Sequence, residues 1–129
     1  MWETEEKITG AELEIMRALW AADGPQTLGQ VKAALSRRQG WSGDTTKTLL
    51  GRLCRKGAVA QEKREVYYYR PLVSEEAFSR YKTQSLIDQL YNGSARDMVA
   101  ALVEHRQLAP EDVDEMRTMF ARLWEQRGE

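Results

Sequence analysis

Residues 42–71 have the sequence SGDTTKTLLGRLCRKGAVAQEKREVYYYRP, whose hydrophobic period changes partway along. Before Gly57 the apolar residues recur with the roughly 3.6-residue spacing of an amphipathic helix, and the first serine is a suitable N-cap. After Gly57 the spacing shortens to about two, which is typical of strands, and the closing proline cannot donate to a β-ladder. The stretch therefore predicts a helix over 43–56 and two strands, 58–63 and 66–70, around a turn.

The predicted helix has an apolar side and a polar side. Its spacing places inward Thr46, Leu49, Leu50 and Leu53. The other faces carry hydroxyl and basic side chains, and threonine can bond phosphate or base edges whereas arginine can pair bidentately with guanine. We therefore expect DNA contacts from Thr45, Lys47, Thr48 and Arg52, and contacts to flanking phosphates from Arg55, Lys56, Lys63 and Arg64. A solvated surface is the alternative for the basic members.

Two more helices are predicted upstream, each beginning at a capping box, in which a threonine and the third residue after it cap each other's backbone. The boxes are Thr9 with Glu12 and Thr27 with Gln30, before helices of residues 10–22 and 28–38. The first helix carries Leu13, Met16 and Trp20 on one face, with Leu19 beside it. Three helices followed by a hairpin indicate a winged helix-turn-helix. The expected fold is mainly α (α+β), with this DNA-binding domain and its small β-hairpin wing in residues 1–73.

The remaining chain is predicted to be helical over about 75–91, 95–106 and 110–126. These helices have apolar stripes that the rest of one subunit is too short to cover, which favours self-association over an ordinary core. We therefore expect residues 74–129 to form a helical dimerisation region. Its apolar surface is expected to comprise Phe78, Leu86, Met98, Leu102, Val113, Met116, Phe120 and Leu123.

Charge is unevenly distributed along the chain. The formal net charge is −1, yet residues 32–64 contain nine basic and two acidic residues, a net charge of +7, between flanks of −4 each. A basic block between acidic flanks is typical of a phosphate-binding surface on a soluble protein. An ordinary charged surface is the alternative that charge alone leaves open.

Other chemistry is sparse in this sequence. His105 is the only histidine and Cys54 the only cysteine, so one subunit has no His-based metal cluster, no triad with a histidine base and no internal disulfide. We expect no cofactor, no metal and no enzymatic activity. The chain also lacks an apolar run long enough for a membrane span and an evident signal peptide, so the expected location is the cytoplasm.

Two alternatives to a DNA-binding regulator stay open at this point. The first is a winged-helix protein-interaction module whose basic block contacts an acidic partner. The second is a regulator that responds to a small molecule or to redox state, through Cys54 in the redox case, although a small buried thiol is the simpler interpretation of that residue.

Four segments together resemble the penicillinase-repressor family: ITGAELEIMRALW, GWSGDTTKTLLGRLCRKGAV, VYYYRPLVSEE and LYNGSARDMVAAL. The similarity extends over about residues 8–125. It implies a sequence-specific transcriptional repressor that binds double-stranded DNA as a homodimer, with two heads on a dyad operator. By the same resemblance, Ser42 to Arg52 form the recognition helix, which adds Ser42 to the expected DNA contacts, and Lys63 and Arg64 form the wing.

Two departures from the family pattern leave the inducing signal open. Copper-responsive members end in paired Cys-x-Cys motifs, whereas this chain has no cysteine after Cys54. Members that respond to β-lactams are cleaved at an Asn-Phe bond, and the matching position here is Ala101-Leu102. A sensor protease therefore stays open as a partner, and any regulated cleavage is expected within the helix of residues 95–106.

Overall fold

The structure, a computed structural model, describes residues 8–127, which form six helices and three short strands. In chain order they are α1 (Gly10–Ala21), β1 (Gln26–Thr27), α2 (Leu28–Gln39), α3 (Gly43–Arg55), β2 (Val59–Lys63), β3 (Tyr67–Pro71), α4 (Glu75–Tyr91), α5 (Ala95–Glu104) and α6 (Pro110–Arg127). The predicted fold class, mainly helical with a winged-helix head, is confirmed. Residues up to Gln84 form one compact unit and those from Ser85 a second.

The three strands form an antiparallel sheet in the order β1-β3-β2. In the hairpin, Val59 pairs with Pro71 at the base and Lys63 pairs with Tyr67 at the tip. The additional strand, β1, pairs with Tyr68 and Tyr69 of β3. It is only two residues long, so it has no period that sequence analysis could detect.

The core of the first unit lies between α1, α2, α3 and the sheet. Its largest fully buried apolar side chains are Ile15, Met16, Val31, Leu35, Leu50 and Leu53. In α1 the predicted stripe was partly wrong, because Ile15 is buried while Leu13 and Trp20 are only partly so. Since α1 contacts α2, α3 and β3, it buries a wider arc than one stripe.

The first turns of α4 belong to the same core. Phe78 is 5% exposed and lies against Trp20, with ring centroids 5.6 Å apart. The Trp20 indole N–H donates to the carbonyl oxygen of Val73 at 2.9 Å, which fixes the segment that leads into the helix. Phe78 was expected in the dimerisation surface. Its burial in the head corrects that expectation, while the domain boundary after residue 73 stays a prediction.

A buried ion pair joins the start of α1 to the end of α3. Glu12 is 1% exposed, and its Oε1 accepts from the Thr9 backbone N–H at 2.9 Å and from Lys56 Nζ at 2.6 Å. Burial raises the pKa of Glu12, but the hydrogen bonds from Lys56 and Thr9 outweigh it and leave the pKa below its ordinary value. One carboxylate therefore completes a capping box and links two helices.

The second unit has a different balance of surfaces. Asn92 and Gly93 have left-handed backbone conformations, with φ of 51° and 83°, and they separate α4 from α5. Ser94 caps α5 by accepting from the Asp97 N–H at 3.1 Å. Among the described residues of this unit, Ile87 alone is buried. The unit therefore has almost no apolar core of its own.

Within residues 8–127, none of the helices combines the length and the apolar character that a bilayer crossing requires.

We expect Lys56→Met to lower the free energy of unfolding by about 3 kcal/mol, the lower end of the range for breaking a buried pair. The reason is that Glu12 would stay buried without its cation, while Lys56 itself keeps 27% of its side chain exposed. Chemical denaturation measures the change. Glu76→Gln, which breaks the exposed pair of Glu76 with Arg80, is the control and should cost less than about 1 kcal/mol. Equal losses in both variants would contradict the assignment.

Acid should act on the same pair. Because the pKa of Glu12 is lower in the folded chain than its ordinary value of 4.5, its stabilising contribution is complete above that value. The contribution is lost as the pH falls below 4.5 through the folded-state pKa. Glu12→Gln should therefore flatten the loss of stability in this range, measured by thermal melts at a series of pH values. A melting curve series that matches the wild type would count against the pair.

Candidate nucleic-acid interface

Helix α3 has one buried side and one continuous exposed side. The buried residues are Thr46, Leu49, Leu50 and Leu53, which confirms the predicted inward set. Ser42 caps the helix by accepting from the Thr45 N–H at 3.2 Å. With about 100° between successive residues, the opposite side is a single face. Its members are Thr45, Lys47, Thr48, Gly51, Arg52 and Arg55.

The exposed face of α3 carries most of the residues expected to bind DNA. Ser42, Thr45, Lys47, Thr48, Arg52 and Arg55 are all exposed, as are Lys63 and Arg64 on the hairpin. Along one edge, Thr45, Thr48 and Arg52 border a shallow groove whose other walls include Trp41 and Leu49. The face thus offers hydroxyl groups, guanidinium and ammonium groups beside an apolar groove.

Lys56 is placed differently from the other predicted cations. Its Nζ donates to Glu12 Oε1 at 2.6 Å, and the residue is half-buried. Its charge is thus balanced inside the fold, which leaves Lys56 outside the exposed set. Sequence reasoning missed this pair, because Glu12 and Lys56 are far apart along the chain and each has an ordinary local explanation.

The wing carries two cation–aromatic contacts. Lys63 Nζ lies 5.9 Å from the centroid of the Tyr67 ring, and the Arg64 guanidinium carbon lies 5.0 Å from that of Tyr68. Contacts of this kind are attractive because the ring face is negative. They hold both wing cations close to the hairpin, where they remain exposed.

A carboxylate also lies in the wing. Glu62 Oε1 accepts from Arg70 Nε at 2.7 Å, and its Oε2 accepts from Arg64 Nη2 at 3.4 Å. The hydrogen bond from Arg70, helped by that from Arg64, holds the pKa of Glu62 below its ordinary value. Sequence analysis did not single out Glu62 or Arg70. The available signal was the two-residue period of the hairpin, which places them on one face.

Cys54 lies half-buried on α3, beside the core. Burial raises the pKa of its thiol, and the nearby Arg55 charge opposes the rise only in part. The protonated thiol is therefore favoured, and it is a weaker nucleophile than a thiolate. Among the described residues, no group of three or more His, Cys, Asp or Glu side chains is arranged to hold a metal ion.

The residues expected at a dimer surface differ in exposure. Leu86, Val113, Phe120 and Leu123 are exposed, whereas Met98, Leu102 and Met116 are half-buried. The structure adds four large exposed apolar side chains that were not expected: Leu90, Val103, Met119 and Trp124. Ala101 and Leu102, the expected cleavage position, lie half-buried inside α5.

The whole described chain resembles known repressors. The sequence matches the profile of the family described as penicillinase repressor over residues 8–122. The penicillinase repressor of Bacillus licheniformis is 34% identical over 111 residues, which cover 85% of this chain and 86% of that protein. The methicillin resistance regulatory protein MecI of Staphylococcus aureus (strain N315) is 29% identical over 116 residues, with coverages of 88% and 93%.

A solved structure is similar to the head. The DNA-binding domain of the repressor BlaI, determined in solution, matches with a TM-score of 0.50 and 35% sequence identity. The match covers 55% of this chain and 87% of that domain. The resemblance proposed from the sequence motifs is confirmed: this chain belongs to the penicillinase repressor family.

Proposed function

We propose that this protein is a DNA-binding transcriptional repressor that acts as a homodimer on a dyad operator. The observation that carries the proposal is the exposed face of α3, where Thr45, Thr48, Lys47, Arg52 and Arg55 lie opposite a fully packed side. Such a helix can enter the major groove without exposing the core. The names of its relatives, a penicillinase repressor and a repressor's DNA-binding domain, support the same function.

Within this face, different side chains suit different parts of DNA. The guanidinium group of Arg52 can bond guanine bidentately, and Thr45 and Thr48 can bond base edges or phosphates. The free N–H groups of the first turn, which follows Ser42, suit a phosphate. Lys63 and Arg64 on the wing are placed for backbone phosphates. Lys56 acts through the fold instead, because it pairs with Glu12.

The second unit supplies the dimer surface in this proposal. It buries Ile87 alone among its described residues, while Phe120 is 56% and Trp124 72% exposed. Phe120 borders a hollow lined by α5 residues, among them Val99, so the apolar surface continues from α6 to α5. A second copy that covers this surface would give the unit a core. It would also present two heads to a dyad, which can raise avidity by about 10²- to 10⁴-fold.

The alternative functions predict different behaviour. A protein-interaction module would not bind duplex DNA in a salt-dependent, sequence-selective way. A redox regulator that uses Cys54 would lose induction in Cys54→Ser. The raised pKa of the Cys54 thiol favours the first proposal over this alternative. The inducing signal itself stays an open part of the proposal.

A sensor protease is the partner that the family resemblance offers. Ala101 and Leu102 lie inside α5, so cleavage between them requires local unfolding of the helix. If cells that have switched on the target genes contain full-length repressor alone, cleavage is not the inducing step.

We expect Arg52→Ala and Lys47→Ala to weaken binding to the preferred duplex, which is first selected from a random-sequence library with the wild-type chain. Loss of a bidentate base contact by Arg52 should cost about 1–3 kcal/mol and relax selectivity at one position. Both side chains are exposed, so thermal melts should be unchanged. Arg80→Ala on α4 is the control. Unaltered binding by both test variants would show that another face contacts DNA.

Lys63→Ala and Arg64→Ala should have a different signature, because phosphate contacts are independent of sequence. Each variant should bind selected and unselected duplexes more weakly by the same factor. Each should also reduce the slope of log K against log salt by about 0.9 per lost phosphate contact. Fluorescence anisotropy at several salt concentrations measures both quantities. A loss confined to the selected duplex would assign the wing to base recognition instead.

Phe120→Asp should convert the dimer to a monomer, because it places a charge in the proposed apolar surface. Sedimentation equilibrium measures the association state, and titration with the selected duplex should show weaker binding. The control is Thr118→Asp, which places the same charge about 200° away around α6. Thr118 is exposed and should tolerate the change. A dimer that persists in Phe120→Asp and dissociates in Thr118→Asp would place the interface on the opposite face.

A further inference from the structure

The register of the hairpin gathers charged residues on the face of the wing that points away from the core. Ala60 pairs with Arg70 and Glu62 pairs with Tyr68 across the strands. Side chains alternate between faces along a strand. The neighbouring positions Val59 and Tyr69 are buried, so Glu62, Tyr68 and Arg70 share the outer face.

On this face, Glu62 lies between two arginines but engages them unequally. The hydrogen bond from Arg70 Nε is 2.7 Å long, within the range of a strong charge-assisted bond. The contact from Arg64 Nη2 is 3.4 Å long, which is well beyond that range. Arg64 also lies over the Tyr68 ring at 5.0 Å, and its side chain is 59% exposed. The guanidinium group of Arg64 is therefore held loosely by Glu62 and kept near the surface by Tyr68.

The balance of charge at the wing tip gives this geometry a consequence. Residues 62–65 are EKRE, two acids and two bases, so the tip has no net charge of its own. A carboxylate released from Arg70 can bond Arg64 through both oxygens, the geometry that guanidinium groups favour. Arg64 would then be neutralised at the position where a phosphate would approach.

We propose that Arg70 is a positioning residue of the wing, which engages Glu62 and thereby leaves the Arg64 guanidinium free to bind a DNA phosphate. This inference rests on the proposed function of DNA binding. It assigns to Arg70 a role that acts through Glu62 rather than through direct contact with DNA.

A double-mutant cycle in the full chain tests this role. The variants are Arg70→Ala, Glu62→Gln and the two combined, and the probe is a fluorescent duplex of mixed sequence, titrated at several salt concentrations. Arg70→Ala should weaken binding about threefold, a typical effect for one exposed charge pair. It should also reduce the slope of log K against log salt by about 0.9, the loss of one phosphate contact.

Rescue is the result that separates positioning from direct contact. Glu62→Gln removes the carboxylate that would neutralise Arg64, so the combined variant should bind as tightly as Glu62→Gln alone. Adding Arg64→Ala to Arg70→Ala should cause no further loss. The matched controls are Glu76→Gln and Arg80→Ala, which break an exposed pair on α4 with a 2.6 Å contact and should leave binding unchanged.

Two results would overturn the inference. If Arg70→Ala weakens binding equally in the wild-type and Glu62→Gln backgrounds, Arg70 contacts DNA itself. If Arg70→Ala has no effect, Glu62 does not control Arg64. Should the Arg70 variants fail to fold, Glu62→Gln alone carries the test, and unchanged affinity in that variant overturns the inference as well. A wild-type chain that binds no duplex contradicts the proposed function instead.

Discussion

The buried contact between Glu12 and Lys56 sets the orientation on which the rest of the head depends. It joins the first turn of α1 to the residue that caps α3, and it leaves the polar face of α3 directed outward. Burying two charges is costly, yet each lies at the helix end that favours it. Carboxylates are stabilised near a helix N-terminus and cations near a C-terminus. The helix dipoles and the Thr9 hydrogen bond therefore offset part of the desolvation of the pair.

The parts of the fold that could be predicted from sequence are those fixed by neighbours along the chain. Helix caps such as Thr9, Thr27 and Ser42 depend on side chains within three residues, so they place the helix starts correctly. The parts that were missed depend on distant contacts. An apolar residue at helical spacing, such as Phe78, has the same local pattern whether a dimer partner or its own core covers it. Here Trp20 covers it.

The same distinction applies to the site. Sequence analysis placed the cations of α3 and the wing on exposed faces, since helical and strand periods determine which side they occupy. It could not predict which of them are neutralised in space. Lys56 is matched by a glutamate from another helix, and Arg64 is loosely matched by Glu62, which Arg70 engages more closely. The +7 charge of residues 32–64 therefore overstates the charge that the surface presents to DNA.

The two units differ in what completes them, and this difference connects association to DNA binding. The head has its own core and can hold α3 in place as a single subunit. The second unit buries Ile87 alone among its described residues, so most of the apolar surface that orders it must come from outside. Under the proposed dimer, the order of this unit and the association of subunits are one equilibrium, which depends on protein concentration. Operator occupancy then follows the concentration of repressor more steeply than a monomer would allow, because both half-sites are lost together when the second unit loses its partner.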